Sequence, residues 1–451
     1  MFSRVINKVL CFWLLMSAAT SSFVFAQTHT DETADNKTLS RYLDQTAGMT
    51  ADEAVRSALE NNGELAAMRK ERDAAQSLVK QARLRANPIL EASGAKQIGG
   101  PDNNYMLKGM LPLELGGRRN ARILVATREL AVREKAVEDR ERLLASEVRM
   151  KFGESLAATL KLKFTEDSLA TALQGFRLVQ ARVTEGKIAP LEENMTLVEV
   201  NRLRSMRETA VGKTEIAFLE LRNLLGMKPE EPTRLRGDFD NLVTPLPILA
   251  DTTASALQTR PDLAAMRSME DLADAQIEQA KAGGRLDASV TSGYQRMNSS
   301  FPLNGINDAG GLRPIQDIFH FFTFGVTFEL PVRNRNQGSI EAAIANRDAA
   351  RNRREFGELI VRREVASGFA RYESAAKAME IFRVGVRGQA NANLDVVRQT
   401  YELGSRNLID YLIEERRYID IENEFIDMRL AVYNASIEIL RATNSTELIK
   451  K

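Results

Sequence analysis

The sequence predicts a mainly α-helical protein with a membrane β-barrel portion, built from two internal repeats of helix, strand, strand, long helix and helix. The repeat is visible where ALENNGELAAMR (58–69) and ALQTRPDLAAMR (256–267) share seven of twelve residues at an offset of 198. Long helices are indicated because no proline occurs from 113 to 189 or after Pro331. Strands are indicated by segments that alternate apolar and polar residues.

The first 26 residues are predicted to be a cleaved signal peptide, so the mature chain is expected to be exported. Arg4 and Lys8 precede the apolar run VLCFWLLM, and VFA precedes a cut before Gln27. Cys11, the only cysteine, lies in that run without the small residues that precede a lipid-attachment site. We therefore expect neither a lipid anchor nor a disulfide.

The charge balance argues against nucleic acid as a partner. The chain has 62 Lys and Arg against 61 Asp and Glu, and its formal charge of +1 becomes −1 (1 − 2) when Arg4 and Lys8 leave with the signal peptide. After the signal peptide no apolar run reaches the roughly 18 residues of a membrane helix, so any membrane span must be made of strands.

Two very long helices are predicted at 117–185 and 338–403, each about 100 Å long at a rise of ~1.5 Å per residue. In the first, apolar residues recur at steps of seven and four, as in a helix that packs along its length. They are Leu130, Val137, Leu144, Val148, Phe152 and Leu156. Each half also contains two shorter predicted helices, which together match one long helix in length if they stack end to end. They are predicted at about 51–87 with 191–226, and at about 252–285 with 408–443.

The last predicted strand shows the clearest two-sided pattern. Its apolar side consists of Phe322, Phe324, Val326, Phe328, Leu330 and Val332. Four strands cannot close a barrel alone, and open edges in lipid would leave backbone groups unpaired at several kcal/mol each. The chain is therefore expected to oligomerise around a shared barrel, with a soluble four-stranded sandwich as the alternative.

The second repeat carries an insertion between its strands. LPL (111–113) matches LPV (330–332) at an offset of 219, about 21 residues more than the first marker. TEGKIAPLE (184–192) and ELGSRNLID (402–410) then match at 218. The inserted residues NSSFPLNGINDAGGLRPIQDI are rich in Gly, Asn and Pro, which predicts an enlarged loop.

The predicted organisation divides the chain into six parts. They are a signal peptide at 1–26; an N-terminal periplasmic segment at 27–50; a first repeat at 51–226 with strands at about 88–98 and 105–116; a linker at 227–251; a second repeat at 252–443 with strands at about 286–297 and 319–333; and a tail at 444–451.

These features resemble the outer-membrane efflux factor family of the TolC type over nearly the whole mature chain. The resemblance rests on the two ALxxxxxLAAMR helices, the Leu-Pro pairs at the second strand of each repeat, and the turns around Gly186 and Gly404. The run LPVRNRNQGSI (330–340) is similar to the heavy-metal branch, of the CzcC and CnrC kind.

The resemblance implies a homotrimer in the outer membrane of a Gram-negative bacterium, with a twelve-stranded barrel continued by a periplasmic α-helical barrel. It implies a passive channel of a tripartite efflux system that exports divalent heavy-metal cations such as cobalt, zinc, cadmium, nickel or copper. The implied partners are outer-membrane lipid, a periplasmic adaptor (membrane fusion) protein and a proton-driven inner-membrane pump of the resistance-nodulation-division type. A TolC-like duct for drugs or secreted proteins, and a soluble periplasmic helical scaffold or adaptor, are the alternatives.

The resemblance also implies that GKIAPLE and GSRNLID are periplasmic tips, where the adaptor docks and the closed duct is held shut. Gly186 and Gly404 would be the tip glycines, Glu192 and Arg406 a latch pair, and Asp410 a member of a carboxylate ring that favours cations.

Helix capping is the alternative role for the two tip acids. Asn407 can be an N-cap with Asp410 at N3, and Pro190 can be N1 with Glu192 at N3. The family's second tip acid is replaced here by Ile413, which departs from a double carboxylate constriction.

The junction between strands and long helices concentrates arginines. Here a charged ring and interfacial anchoring of the barrel are the two possible roles. The residues predicted to lie at this junction, arginines and others, are Pro112, Arg118, Arg119, Pro331, Arg333, Arg335 and Gly338.

No catalytic, cofactor-binding or metal-binding arrangement is expected, so the chain is not predicted to be an enzyme. His29 and His320 are far apart in sequence, and GGRRNA lacks the spacing of a phosphate-binding loop. Met106 and Met110 share one face of a strand, which favours lumen lining or packing over a soft-metal site.

Overall fold

The computed structural model describes residues 40–242 and 249–449. The predicted signal peptide, most of the N-terminal segment, part of the linker and the last two residues lie outside this part of the chain. The helices are α1 (Ala51–Asn61), α2 (Gly63–Arg83), α3 (Arg118–Thr184), α4 (Pro190–Leu225), α5 (Phe239–Leu242), α6 (Leu249–Thr259), α7 (Pro261–Gly283), α8 (Gln337–Ile381), α9 (Gly388–Glu402) and α10 (Leu408–Ala442), with a 3-10 turn at Thr446–Ile449. The strands are β1 (Ile89–Lys96), β2 (Asn103–Pro112), β3 (Asp287–Ile306) and β4 (Leu312–Glu329).

The four strands form one antiparallel sheet in the order β1-β2-β3-β4. The register aligns apolar residues into rows across the sheet: Leu107 lies opposite Tyr294, which lies opposite Phe322. The row that crosses the other face contains Lys108, Gly293 and Thr323. One face is therefore apolar across strands of both halves. It is also exposed, with 81% of Phe324 accessible.

The predicted enlarged loop is wrong, because most of the inserted residues continue the strands. β2 begins at Asn103, which lies opposite Asn298 of β3. Beyond this point β3 and β4 remain paired with each other up to the pair Ile306 and Leu312. Pro302 falls at a register shift between Phe301 and Asn304, where a strand tolerates a residue without an N–H donor. The turn itself is confined to residues 307–311, so the Gly and Asn content marks a hairpin end instead of a long loop.

Two strand ends also differ from those predicted. β2 ends at Pro112 and β4 ends at Glu329, two residues before Pro331. Each strand therefore stops at or just before the proline of its Leu-Pro pair, which cannot donate to a further ladder hydrogen bond.

The first long helix is uninterrupted, whereas the second is not. α3 runs for 67 residues. The helix predicted at 338–403 is divided into α8 and α9 by a π-helical segment, Phe382–Arg387. Gly385 and Gly388 lie in or next to this wider turn, and Arg387 fixes it to α10 by a 2.6 Å hydrogen bond to Glu422. The prediction of one continuous helix is wrong here, because a π turn requires no proline and the absence of proline therefore does not exclude it.

The shorter helices before each strand pair are broken, where single helices were predicted. Asn62 ends α1 and caps α2, since its side chain accepts a hydrogen bond from the Leu65 N–H. In the second half, Arg260 lies between α6 and Pro261, the first residue of α7. α1, α2 and α4 all pack along α3, and Asn62 also donates to the Leu224 carbonyl at the end of α4. The short helices thus meet end to end beside the long one.

The main hydrophobic core surrounds the middle of α3. Tyr42, from the segment before α1, and Leu235, from the segment after α4, are both buried in it. Leu235 bridges to Leu43 and Met49, and Tyr42 contacts the Phe218 ring at a centroid distance of 5.0 Å. The described parts of the N-terminal segment and linker are therefore built into the helical portion.

An ion network around two buried arginines, Arg142 and Arg260, joins four helices beside this core. It consists of Asp139, Arg142, Arg260, Asp262 and Glu364. Arg260 is 2% exposed, pairs through two nitrogens with Asp262 and donates to Glu364 at 2.7 Å. Arg142 and Arg260 also donate to the Arg441 and Ala442 carbonyls, which are the last of α10. Burial opposes ionisation of Asp262, but the bonds from Arg260 outweigh it and hold its pKa below the ordinary value.

Within residues 40–242 and 249–449, no helix combines the length and the apolar character needed to cross a membrane.

Candidate functional site

The two turns at the ends of the long helices have the same backbone geometry. Gly186 and Gly404 adopt left-handed φ angles of 72° and 74°. Their amides bond back to Val183 and Tyr401, and the following residues bond back to Arg182 and Thr400, all at 2.9 Å. Each turn therefore terminates one helix and starts the next, because glycine enters the left-handed region without steric cost.

The helix caps expected at these turns are present. Asn407 caps α10 by accepting from the Asp410 N–H at 2.9 Å, and Pro190 is the first residue of α4. Asp410 and Glu192 thus lie in first turns, at the positive ends of their helices. Asp410 also lies 3.6 Å from Arg406. Its role in a carboxylate ring stays a prediction, and Ile413 beyond it is 54% exposed.

A hydrogen bond that the sequence reasoning missed links the two helical hairpins. The Tyr401 hydroxyl of α9 donates to the Glu192 carboxylate of α4 at 3.2 Å. In this one chain, Glu192 thus contacts Tyr401, and Arg406 contacts Asp410. The predicted Glu192–Arg406 latch stays a prediction. The feature of the sequence that could have indicated this bond is Tyr401, an aromatic residue in the last turn before the tip glycine Gly404.

Beyond the turns, a cavity of about 280 Å³ separates the α3–α4 hairpin from the α9–α10 hairpin. Phe176 of α3 and Tyr401 of α9 line it together with Tyr411 and Glu415 of α10. The rings of Tyr401 and Tyr411 stack at 5.9 Å with an interplanar angle of 13°. We call this space the tip cavity. Because the tip cavity lies between them, the two hairpins are incompletely packed next to the turns.

Two buried glutamates meet at the tip cavity, and both were missed by sequence reasoning. Glu199 of α4 is 1% exposed and accepts hydrogen bonds from Arg202 and Arg416, both at 2.8 Å. Glu415 of α10 is 8% exposed, and the Tyr411 hydroxyl donates to it at 3.4 Å. Burial, and then the negative charge of Glu199, raise the pKa of Glu415 to about 7. Because Glu199 and Glu415 are 216 positions apart in the sequence, no local motif indicates that they are neighbours.

Arginines at the barrel end of α3 cap the ends of the short helices α2 and α7. Arg118 donates to the Gly283 carbonyl at 3.2 Å, and Arg119 donates to the Arg83 carbonyl at 3.1 Å. Arg122, which was not singled out from the sequence, donates to the Leu84 carbonyl at 2.9 Å and also contacts Glu114. These bonds satisfy carbonyls that have no partner within their own helices. Arg118 also pairs with Asp287 of β3 at 3.2 Å, which ties helix to strand.

The run after β4 packs through its backbone and its asparagine. Asn336 has a φ of 62° and donates to the Ala280 carbonyl at 2.8 Å. Gly284 leaves room for the Arg335 carbonyl, which would lie 2.1 Å from an added Cβ. Arg333 and Arg335 are exposed, and Gly338 is the second residue of α8. This packing gives the run a structural role at the junction, while a charged ring stays a prediction.

An exposed apolar sheet with two open edges, joined to long helical hairpins that end in matched turns, defines an outer-membrane channel protein. The family model for outer membrane efflux proteins matches residues 54–227 and 253–445. The chain belongs to that family, as its sequence predicted. The protein is thus an efflux channel with a periplasmic helical portion, and its family consists of channels and not of enzymes.

Curated relatives include metal-resistance proteins. The cobalt-zinc-cadmium resistance protein CzcC of Cupriavidus metallidurans is 24% identical over 394 residues, covering 87% of this chain and 89% of that protein. The nickel-cobalt-cadmium resistance protein NccC of Alcaligenes xylosoxydans xylosoxydans is 26% identical over 60% of this chain and 59% of its own length. The outer membrane protein OprJ of Pseudomonas aeruginosa is 24% identical over 75% and 70%.

Solved structures share the fold. CusC superposes with a TM-score of 0.72 at 20% identity, covering 88% of this chain and 92% of that chain. The outer membrane channel CmeC of Campylobacter jejuni gives 0.71 at 14% identity, covering 87% and 85%. The predicted fold class is confirmed by these likenesses.

Among the described residues, no group of three or more His, Cys, Asp and Glu side chains is arranged to hold a metal ion.

Proposed function

We propose that this channel is the homotrimeric outer-membrane component of a tripartite system that exports divalent heavy-metal cations. Three copies of the four-stranded sheet would close a twelve-stranded barrel and pair the open edges of β1 and β4. The tip turns would meet a periplasmic adaptor, and a proton-driven inner-membrane pump of the resistance-nodulation-division type would supply the energy. Selectivity would then reside in the pump, because a duct conducts best through weak sites.

One observation carries the metal assignment. The relatives named for resistance to cobalt, zinc, cadmium and nickel match this chain, and CzcC does so over nearly its whole length. A duct for drugs or secreted proteins has the same fold and is the alternative that the test must separate.

Deleting the gene is expected to raise intracellular levels of one or more divalent metals. The measurement is the accumulation of zinc, cobalt, nickel, cadmium and copper, alongside a hydrophobic dye, in cells with and without the gene. Selective accumulation of a metal supports the proposal and names the ion. Accumulation of the dye alone would keep the channel and contradict the metal assignment.

Replacing Tyr401 with phenylalanine is expected to make the closed channel easier to open. The change removes the hydroxyl that donates to Glu192, and a hydrogen bond to a charged group contributes about 1.5–3 kcal/mol. Conductance of the purified channel in planar bilayers is the measurement, and we expect open events to become at least about tenfold more frequent.

The matched control for this prediction is Tyr372→Phe on α8, which removes a hydroxyl away from the tip turns. If both variants conduct like the unmodified channel, the Tyr401 bond has no part in closure.

A further inference from the structure

The contact between α4 and α10 above the tip turns contains a pair of carboxylates in a buried setting. Glu199 and Glu415 are each less than one-tenth exposed, and each comes from a different hairpin. Burying a carboxylate is costly unless a cation or several donors compensate for the lost water. The Glu199 and Glu415 carboxylates differ in how well their surroundings compensate for the lost water.

Glu199 has cationic donors at both oxygens, Arg202 on one and Arg416 on the other. Glu415 accepts from the neutral Tyr411 hydroxyl at the long distance of 3.4 Å. An ionised Glu415 would therefore lie in a poorly solvated position beside a carboxylate that is already charged. A neutral Glu415 removes that repulsion.

The other charged and titratable groups around Glu415 do not reverse this asymmetry. Arg202 of α4 and Arg416 of α10 favour its ionised form, but both are bonded to Glu199. The tip cavity is lined by further groups: Arg182 of α3, Arg398, Tyr401 and Glu402 of α9, and Tyr411 of α10. Burial and Glu199 are the largest influences on Glu415, and both disfavour its charge.

We propose that a proton on Glu415 holds the α9–α10 hairpin against the α3–α4 hairpin, and that loss of this proton loosens the contact. The tip cavity makes the loosening possible, because the hairpins are already incompletely packed next to Glu415. Once the hairpins separate, water can solvate the Glu415 carboxylate, and the greater distance from Glu199 weakens the repulsion between the two charges.

The π-helical segment offers a place for the movement. It lies between α8, which packs on α7 and α10, and α9, which packs on α10. Val384 and Ile381 at this segment are 61% and 71% exposed, whereas Phe382 is buried and Arg387 bonds to Glu422. A bend at this segment would therefore carry α10 along with α9. Segments of this kind interrupt the regular i→i−4 ladder and frequently occur at functional sites.

The direction of the pH response follows from the raised pKa of Glu415. In the packed state the pKa is about 7, whereas a solvated glutamate has the ordinary value of 4.5. The packed contact is therefore favoured at low pH, and this contribution is lost as the pH rises through about 7. Between pH 5.5 and pH 8, the ratio of loosened to packed chains should rise about tenfold or more.

Amide hydrogen exchange of the full-length channel in detergent tests this inference. We expect protection of α9 and the first two turns of α10, corrected for intrinsic exchange rates, to fall about tenfold or more from pH 5.5 to pH 8. Glu415→Gln is permanently neutral, so its protection should stay high at both pH values. Glu414→Gln, the adjacent control, should keep the full pH response.

A wild-type protection that does not change between these pH values would overturn the proposal without any variant. So would a pH response that persists in Glu415→Gln. The readout does not depend on the exported substrate, so metal accumulation and tip protection can fail independently of each other.

Discussion

Replacing Phe324 with arginine is expected to block insertion of the channel into the outer membrane. Phe324 lies on the apolar face of β4, opposite Ser292, in the middle of the paired part of the sheet. An arginine on the lipid face of a barrel strand costs about 2–4 kcal/mol at mid-depth, and each chain of an oligomer contributes this cost once. Outer-membrane fractions should therefore contain much less of the variant than of the unmodified protein.

Thr323→Arg is the matched control, since Thr323 is the neighbouring residue and points to the other face of the same strand. It introduces the same side chain at nearly the same depth, but into the polar interior of the barrel. Equal losses for both variants would mean that the apolar face does not meet lipid.

Replacing Arg260 with alanine is expected to destabilise the helical portion by about 3–5 kcal/mol. The change leaves the partly buried Asp262 and Glu364 without their main cationic partner, and it removes a donor from the Ala442 carbonyl. A fall in the urea midpoint for loss of the helical circular dichroism signal is the measurement.

Arg267→Ala provides the comparison for this second prediction. Arg267 also belongs to α7 and donates to a backbone carbonyl, that of Leu257, but it is exposed. We expect its removal to cost no more than about 1 kcal/mol. Similar midpoints for the two variants would show that the buried network contributes little to stability.

The sequence was sufficient for those features that depend on local chemistry. Alternation gave the apolar face of β4, and the positions of Pro190, Asn407 and the tip glycines gave the turns and caps, because each follows from one residue's own backbone or hydrogen-bonding preference. The repeat gave the order of elements.

Features that depend on distant pairs could not be read in this way. Glu199 and Glu415 each look like an ordinary helical glutamate, and only the packing of α4 on α10 makes them neighbours. Tyr401 and Glu192 are 209 positions apart. The prediction of a loop in place of the long β3–β4 hairpin is wrong because it weighs Gly, Asn and Pro over all the inserted residues, although the turn spans only 307–311.

The π-helical segment also affects the symmetry of the assembled wall. Two repeats in each of three chains would approximate sixfold symmetry if the repeats were equivalent. A π turn holds one residue more than an α turn, so beyond it a given side-chain direction falls one position later in the sequence. α3 contains no such step, so the two long walls of each chain differ in side-chain register beyond the π-helical segment. In the proposed trimer, the tip therefore has only threefold symmetry, and a partner must distinguish two kinds of groove that alternate around it.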